Sequence, residues 1–133
     1  MKVIASHGRL NAQTGHVAKG GRFADNENLG EEVVTLRAVN MGHKVLTIDQ
    51  AGIELKSQTR LAFTRCEAQL PHELGPGQQL SFWSNAGQFS GQTRASAPSF
   101  PYFRDASDRM YKGSFDEYFK EWMEERLKER ERN

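Results

Sequence analysis

Cysteine is nearly absent from this chain. Cys66 stands alone among 133 residues, so no intrachain disulfide can form and an oxidising compartment is not implied. Long apolar runs are also missing. Val3-Ile4-Ala5 is the longest apolar stretch near the start and ends at Ser6. A secretory signal needs roughly 7–15 apolar residues and a membrane helix roughly 20. A soluble, cytoplasmic protein with no membrane partner is therefore expected. Charge of one sign is lacking too: formal net charge is +1, so any attraction to nucleic acid must come from how the charges are distributed.

Several motifs that carry chemistry are missing as well. His7, His16, His43, His72 and Cys66 are scattered without paired metal-ligand spacing, so no metal is expected. Gly15-His16-Val17-Ala18-Lys19-Gly20-Gly21 lacks the Walker order, and Gly75-Pro76-Gly77-Gln78-Gln79-Leu80 ends where a dinucleotide fingerprint needs glycine. Both read as turns, and no cofactor is expected. No Ser or His falls in a nucleophile-elbow arrangement. Cys66 on a strand reads as a small hydrophobe, although Arg65 beside it could favour a thiolate. The reading is non-enzymatic, with no catalytic residue assigned.

The length fits one domain spanning residues 1–133, large enough for a hydrophobic core without staples. Residues 1–32 are rich in Gly, Asn and Gln and read as an extended arm or long loop, with at most a short strand at Lys2–Ala5. A β-rich body follows over 33–104. Val34, Leu36 and Ala38 alternate with Thr35 and Arg37, the period of a half-buried strand. Asn40–His43 reads as a hairpin turn into Lys44–Asp49, and Gln50-Ala51-Gly52 as a further turn into Ile53–Ser57. Arg60–Cys66 and Gln79–Ser84 alternate again, and Asn85-Ala86-Gly87 reads as a turn. Residues 91–104 read as a polar loop whose two prolines oppose a central strand. Over 114–131, Ser114 and Glu117 match a capping box, and Phe115, Phe119, Trp122 and Met123 form one stripe of an amphipathic helix. The expected class is α+β: an antiparallel sheet of about five to seven strands, or a small partly closed barrel, with an N-terminal arm and one C-terminal helix.

Charge is distributed unevenly along this layout. Residues 1–24 hold Lys2, Arg9, Lys19 and Arg22 and no acid, and from Leu74 to Arg104 there is again no Asp or Glu. Asp25, Glu27, Glu31 and Glu32 form an acidic patch between them. Single-stranded nucleic acid needs cations along its backbone and flat side chains on which bases stack. The expected phosphate contacts are Lys19, Arg22, Arg37, Arg60, Arg65, Arg94 and Arg104, and the expected stacking residues are Phe23, Trp83 and Tyr102. Trp83 has opposite parity to Leu80 and Phe82, so it faces outward if those pack inward. The function read from this is a single-stranded nucleic-acid-binding accessory protein, DNA before RNA. The rival reading is an adaptor or inhibitor that docks on a protein partner, or on itself as an oligomer, through Phe115, Phe119 and Trp122; a virion or assembly component is a further alternative. In general layout the chain resembles small accessory proteins encoded by bacterial viruses, which would place it in a host cytoplasm.

Overall fold

The computed structural model describes the backbone of residues 1–11, 17–19 and 29–132, and the side chains of 1–8 and 31–129. Apolar alternation in two groups of strands gives two sheets that bury one face each. The strands are β1 (Lys2–Asn11), β2 (Val17–Lys19), β3 (Leu29–Val39), β4 (Leu46–Leu55), β5 (Arg60–Ala62), β6 (Arg65–Cys66), β7 (His72–Leu74), β8 (Gln79–Asn85), β9 (Pro98–Asp105), β10 (Met110–Lys112) and β11 (Ser114–Phe115). The helices are α1 (Ala86–Gln92) and α2 (Glu117–Arg132). The first sheet runs β11-β1-β3-β8-β6, with β2 also on β1; the second runs β10-β9-β4-β5, with β7 also on β4. Pairing is antiparallel except for β11, which lies parallel to β1.

The fold is α+β, and its sheets do not close into a barrel. Val34, Leu36 and Ala38 of β3, Leu80 and Phe82 of β8, and Val3 and Ala5 of β1 face inward. Opposite them lie Ile48, Ala51, Ile53 and Leu55 of β4 and Phe103 of β9. Phe82 meets Phe103 edge-on, with centroids 5.1 Å apart and planes at 89°, which joins the two layers. A buried ring pair adds roughly 0.5–1.5 kcal/mol beyond its area.

The hairpin expected between Val33–Val39 and Lys44–Asp49 does not form, because β3 and β4 belong to different sheets. Asn40, 1% exposed, makes a corner instead of a turn. Its Nδ2 donates to the carbonyls of Lys44 (2.8 Å) and Leu74 (2.9 Å), and its Oδ1 accepts from Gly42 N–H (3.0 Å). The turn expected at Gln50–Gly52 is a β-bulge inside one ten-residue strand. On β4 Ile48 and Gln50 face Asp105 and Arg104, so Asp49 is the extra residue and the inward parity moves from Ile48 to Ala51, Ile53 and Leu55. Gly75-Pro76-Gly77-Gln78 does turn as expected: Gln78 N–H donates to the Gly75 carbonyl at 3.0 Å, and Gly77 takes a φ of 77° that glycine tolerates.

Residues 98–105 form β9, between β10 and β4, not a loop. The Pro101 carbonyl accepts from Gly113 N–H (2.8 Å), away from β4. A strand residue's nitrogen points to the same side as its carbonyl, so the missing N–H of Pro101 costs no β4–β9 bond. At Gly113 the chain leaves the second sheet for the first, and a Cβ there would overlap the Val3 carbonyl and side chain. The capping box also shifts. Ser114 and Phe115 pair with Ile4 and Ala5 as strand, and Asp116 caps α2 by accepting from Phe119 N–H at 3.0 Å. The expected turn at Asn85–Gly87 begins α1, where Asn85 Oδ1 accepts from Gln88 N–H at 3.0 Å. So short a helix is held by packing: Phe89 contacts Phe63, Phe119 and Trp122. The N-terminal arm is likewise corrected, since residues 2–11 and 29–32 lie within the first sheet.

Asp105, which is buried, organises the β9–β10 connection. Its carboxylate accepts from Ser107 N–H (3.0 Å), Ser107 Oγ (2.8 Å), Arg109 N–H (3.0 Å) and Tyr111 OH (3.1 Å). Burial pushes its pKa up, but the bonds from Ser107, Arg109 and Tyr111 outweigh that and hold it below the ordinary aspartate value. Asp105→Ala is expected to lose about 3 kcal/mol of unfolding free energy at neutral pH, because it strands several donors at once. A carboxyl with a depressed folded pKa stabilises fully above its unfolded value of about 3.9, and loses that contribution as pH falls through the folded value. Denaturant titrations should therefore show the gap between wild type and variant narrowing below about pH 4.

Candidate nucleic-acid interface

A strand whose even positions pack inward must turn its odd positions out. On β8, Leu80 and Phe82 are buried, and Trp83 sits part-exposed on the outer face of the first sheet, as its parity predicts. Its cross-strand neighbours are Thr35 of β3 and Arg65 of β6. The Arg65 guanidinium lies over the indole, 5.7 Å from the ring centroid. Glu31 of β3 holds that guanidinium in place: Arg65 Nη1 reaches Glu31 Oε2 at 2.6 Å, and Asn85 Nδ2 donates to the same oxygen at 3.1 Å. The bond from Arg65 is the main reason the Glu31 carboxyl titrates below its usual range, with Asn85 adding to it against the opposing effect of burial. Arg37 shares this outer face, opposite Ser81, and is exposed without an ion-pair partner among the described residues.

Beside the indole a cavity of about 200 Å³ opens where the chain crosses from β5 to β6. Ala62, Phe63, Thr64 and Arg65 form one side, Trp83, Ser84 and Asn85 another, and Gln88 and Gln92 of α1 the third. The two glutamines are four residues apart and so lie on one face of the helix.

The sequence-predicted site residues are not all brought together. Arg37, Arg65 and Trp83 share the outer face of the first sheet. Arg60, Tyr102 and Arg104 lie on the outer face of the second, which points the opposite way. Tyr102 is fully buried and cannot stack a base: the Arg60 guanidinium lies 5.6 Å above its ring, and its hydroxyl donates to Gln50 Oε1 at 3.2 Å. Burial raises its pKa, against the pull of Arg60 and Arg104. Arg60 is paired with Glu54 (3.1 Å) and Arg104 with Asp49 (3.2 Å). Arg94 is exposed just beyond α1, while the Lys19 side chain, Arg22 and Phe23 lie outside the described residues.

The predicted docking stripe is corrected outright. Phe119 and Trp122 are 2% and 4% exposed, and Phe115 is half-buried and stacked on Phe119 with centroids 4.4 Å apart. Trp122 lies flat on His7 of β1 at 4.8 Å, and His7 Nε2 meets Glu32 Oε1 at 2.5 Å. These residues hold α2 to its own sheet, and Tyr118 and Leu127, which are exposed, fall on opposite sides of the helix. Burial pushes the Cys66 thiol up, and Arg65 is turned to Glu31, so thiolate activation finds no support.

Sequence reasoning missed the amides of Gln88 and Gln92 and the restraint by Glu31. The first needed α1 to be recognised from Asn85 as its cap. The second needed Glu31 to be assigned to a strand rather than to an acidic loop. Lys112 over Phe100, 4.5 Å from the ring centroid, was also missed, since residues 98–105 did not read as strand. Among the described residues no group of His, Cys, Asp and Glu could hold a metal ion, and no helix is long and apolar enough to cross a membrane. No protein-family model, curated protein or solved structure matches the chain.

Proposed function

We propose that this chain binds single-stranded nucleic acid, DNA before RNA, through the outer face of its first sheet and without a catalytic step. The observation that carries the reading is the Trp83 indole, which faces outward on β8 beneath Arg65 and beside a cavity of about 200 Å³. A base stacks on that ring in place of the guanidinium, and Arg65 turns to the adjoining phosphate. Arg37 supplies a second phosphate contact along the same face. With a net charge of +1 and two phosphate contacts, such binding is modest and weakens only gradually as salt rises.

Glu31 opposes this. Its carboxylate competes with the phosphate for Arg65, so the free protein keeps the cation over its own indole. The second sheet contributes no contact to the same strand, because its outer face, with Arg60 and Arg104, points the other way.

Fluorescence anisotropy with labelled single-stranded oligonucleotides at low salt tests the reading. Trp83→Ala should weaken binding by about 1–3 kcal/mol, the range for one lost stacking contact. Arg37→Ala should lower the slope of log K against log salt by about 0.7. Glu31→Gln should tighten binding by up to about five-fold, the worth of an exposed ion pair released from competition. Equal affinity in all three variants, or no binding by the wild type at low salt, would remove the proposal.

A further inference from the structure

We infer that the bound strand crosses the first sheet obliquely, from Trp83 on β8 over Arg37 on β3 to Lys2 on β1, which makes Lys2 a third phosphate contact. The inference rests on the nucleic-acid reading above and adds to it a course and a binding residue.

Strand register is the first argument. Across β3 and β8, Thr35 lies opposite Trp83 and Arg37 opposite Ser81. Across β1 and β3, Ile4 lies opposite Arg37 and Lys2 opposite Val39. These positions face outward, because Val3, Ala5, Leu36, Ala38, Leu80 and Phe82 between them pack inward. The step from Trp83 to Arg37 moves one strand across and two residues along, and so does the step from Arg37 to Lys2. Each such diagonal measures roughly 7–8 Å between backbones. The three side chains thus stand in one evenly spaced line, at a step that one extended nucleotide can span.

The other courses away from the indole are closed, which is the second argument. Straight across the sheet, beyond Thr35, Ser6 is only 7% exposed, and Val33 and Gly8 beside it are buried. Toward the sheet edge stands the Glu67 carboxylate, which accepts from Ser81 N–H at 2.8 Å. Toward the end of β8 stands Glu31, bonded to Asn85 and Arg65. Both carboxylates repel a phosphate, and the oblique line passes between them. Availability is the third argument. Arg37 and Lys2 are exposed and have no ion-pair partner among the described residues. Ile4 and Val39, half-buried on either side of the line, give sugars and bases apolar ground.

Salt titrations of binding to labelled oligo(dT), read by fluorescence anisotropy, test the course. Contacts from Arg65, Arg37 and Lys2 at about 0.7 each put the wild-type slope of log K against log salt at about 2 in magnitude. Lys2→Ala should lower it by about 0.7, and Lys2→Ala combined with Arg37→Ala by about 1.4. Lys112→Ala removes a cation from the outer face of the second sheet and should leave the slope unchanged. Lys2 is exposed, and if Lys2→Ala melts earlier than wild type, Lys2→Gln carries the same comparison. A slope unchanged by Lys2→Ala, or lowered equally by Lys112→Ala, overturns the oblique course while leaving binding at the indole intact. No binding of oligo(dT) by the wild type at low salt overturns the underlying reading and the course with it.

Discussion

The apolar seam between the two sheets decides which way every other side chain faces. Phe82 and Phe103 meet edge-on in that seam, and each fixes the parity of its own strand. Once Phe82 points inward, Trp83 must point outward. Once Phe103 points inward, Tyr102 and Arg104 must point out on the far side. Two residue sets that look alike in sequence, each a ring flanked by cations, are thereby turned in opposite directions. The seam therefore keeps Trp83 and Tyr102 on opposite faces of the sandwich.

The two faces differ in what the chain does with its rings. On the second sheet the Tyr102 ring lies within the layer, overlain by Arg60, and its hydroxyl is tied to Gln50. The ring is spent on the protein's own stability. On the first sheet Arg65 covers Trp83 in a similar way, but Arg65 is a surface residue held by one half-exposed carboxylate. Exposed pairs of this kind contribute about 0–1 kcal/mol, little enough for a phosphate to displace. Similar cation–ring contacts thus have different consequences, and burial of the ring is what separates them.

Much of the fold was legible in the sequence where apolar alternation continues unbroken. Val33–Val39 and Gln79–Ser84 are strands as read, and the outward parity of Trp83 followed from Leu80 and Phe82. The apolar stripe of α2 was legible too, although not whether it faced a partner or the chain's own core. That choice depends on His7, a polar residue that stacks on Trp122 from a strand whose alternation is masked by Ser6, His7 and Gly8. The misread elements share a cause: in each, a local signal was overruled by a long-range contact. Asp49 bulges out of β4, so a parity change looked like a turn; Asn40 bonds to Leu74 far along the chain, so a change of sheet looked like a hairpin. Pro101 is tolerated in β9 because its nitrogen faces away from β4, an orientation no proline count reveals. The site divides the same way: Trp83 and its parity were readable, but the grouping of Arg37 with Arg65 and the exclusion of Arg60 and Arg104 needed the pairing of strands.

The small net charge can now be given a local meaning. Arg60, Arg65 and Arg104 each carry a carboxylate partner, on Glu54, Glu31 and Asp49 respectively. These pairs nearly cancel at a distance, so the molecule generates little long-range pull on a polyanion. On the nucleic-acid reading proposed above, recognition then arises at contact, from stacking and from exchanging one anionic partner for another. Exchange costs least where the resident carboxylate is itself anchored by a neutral donor that can hold it after the cation leaves. Asn85 does this for Glu31, and the same asparagine caps α1, whose glutamines line the cavity. Release of Arg65 and the framing of the cavity therefore meet at one side chain, which makes the end of β8 the part of the fold where a ligand could act with the least disturbance to the core.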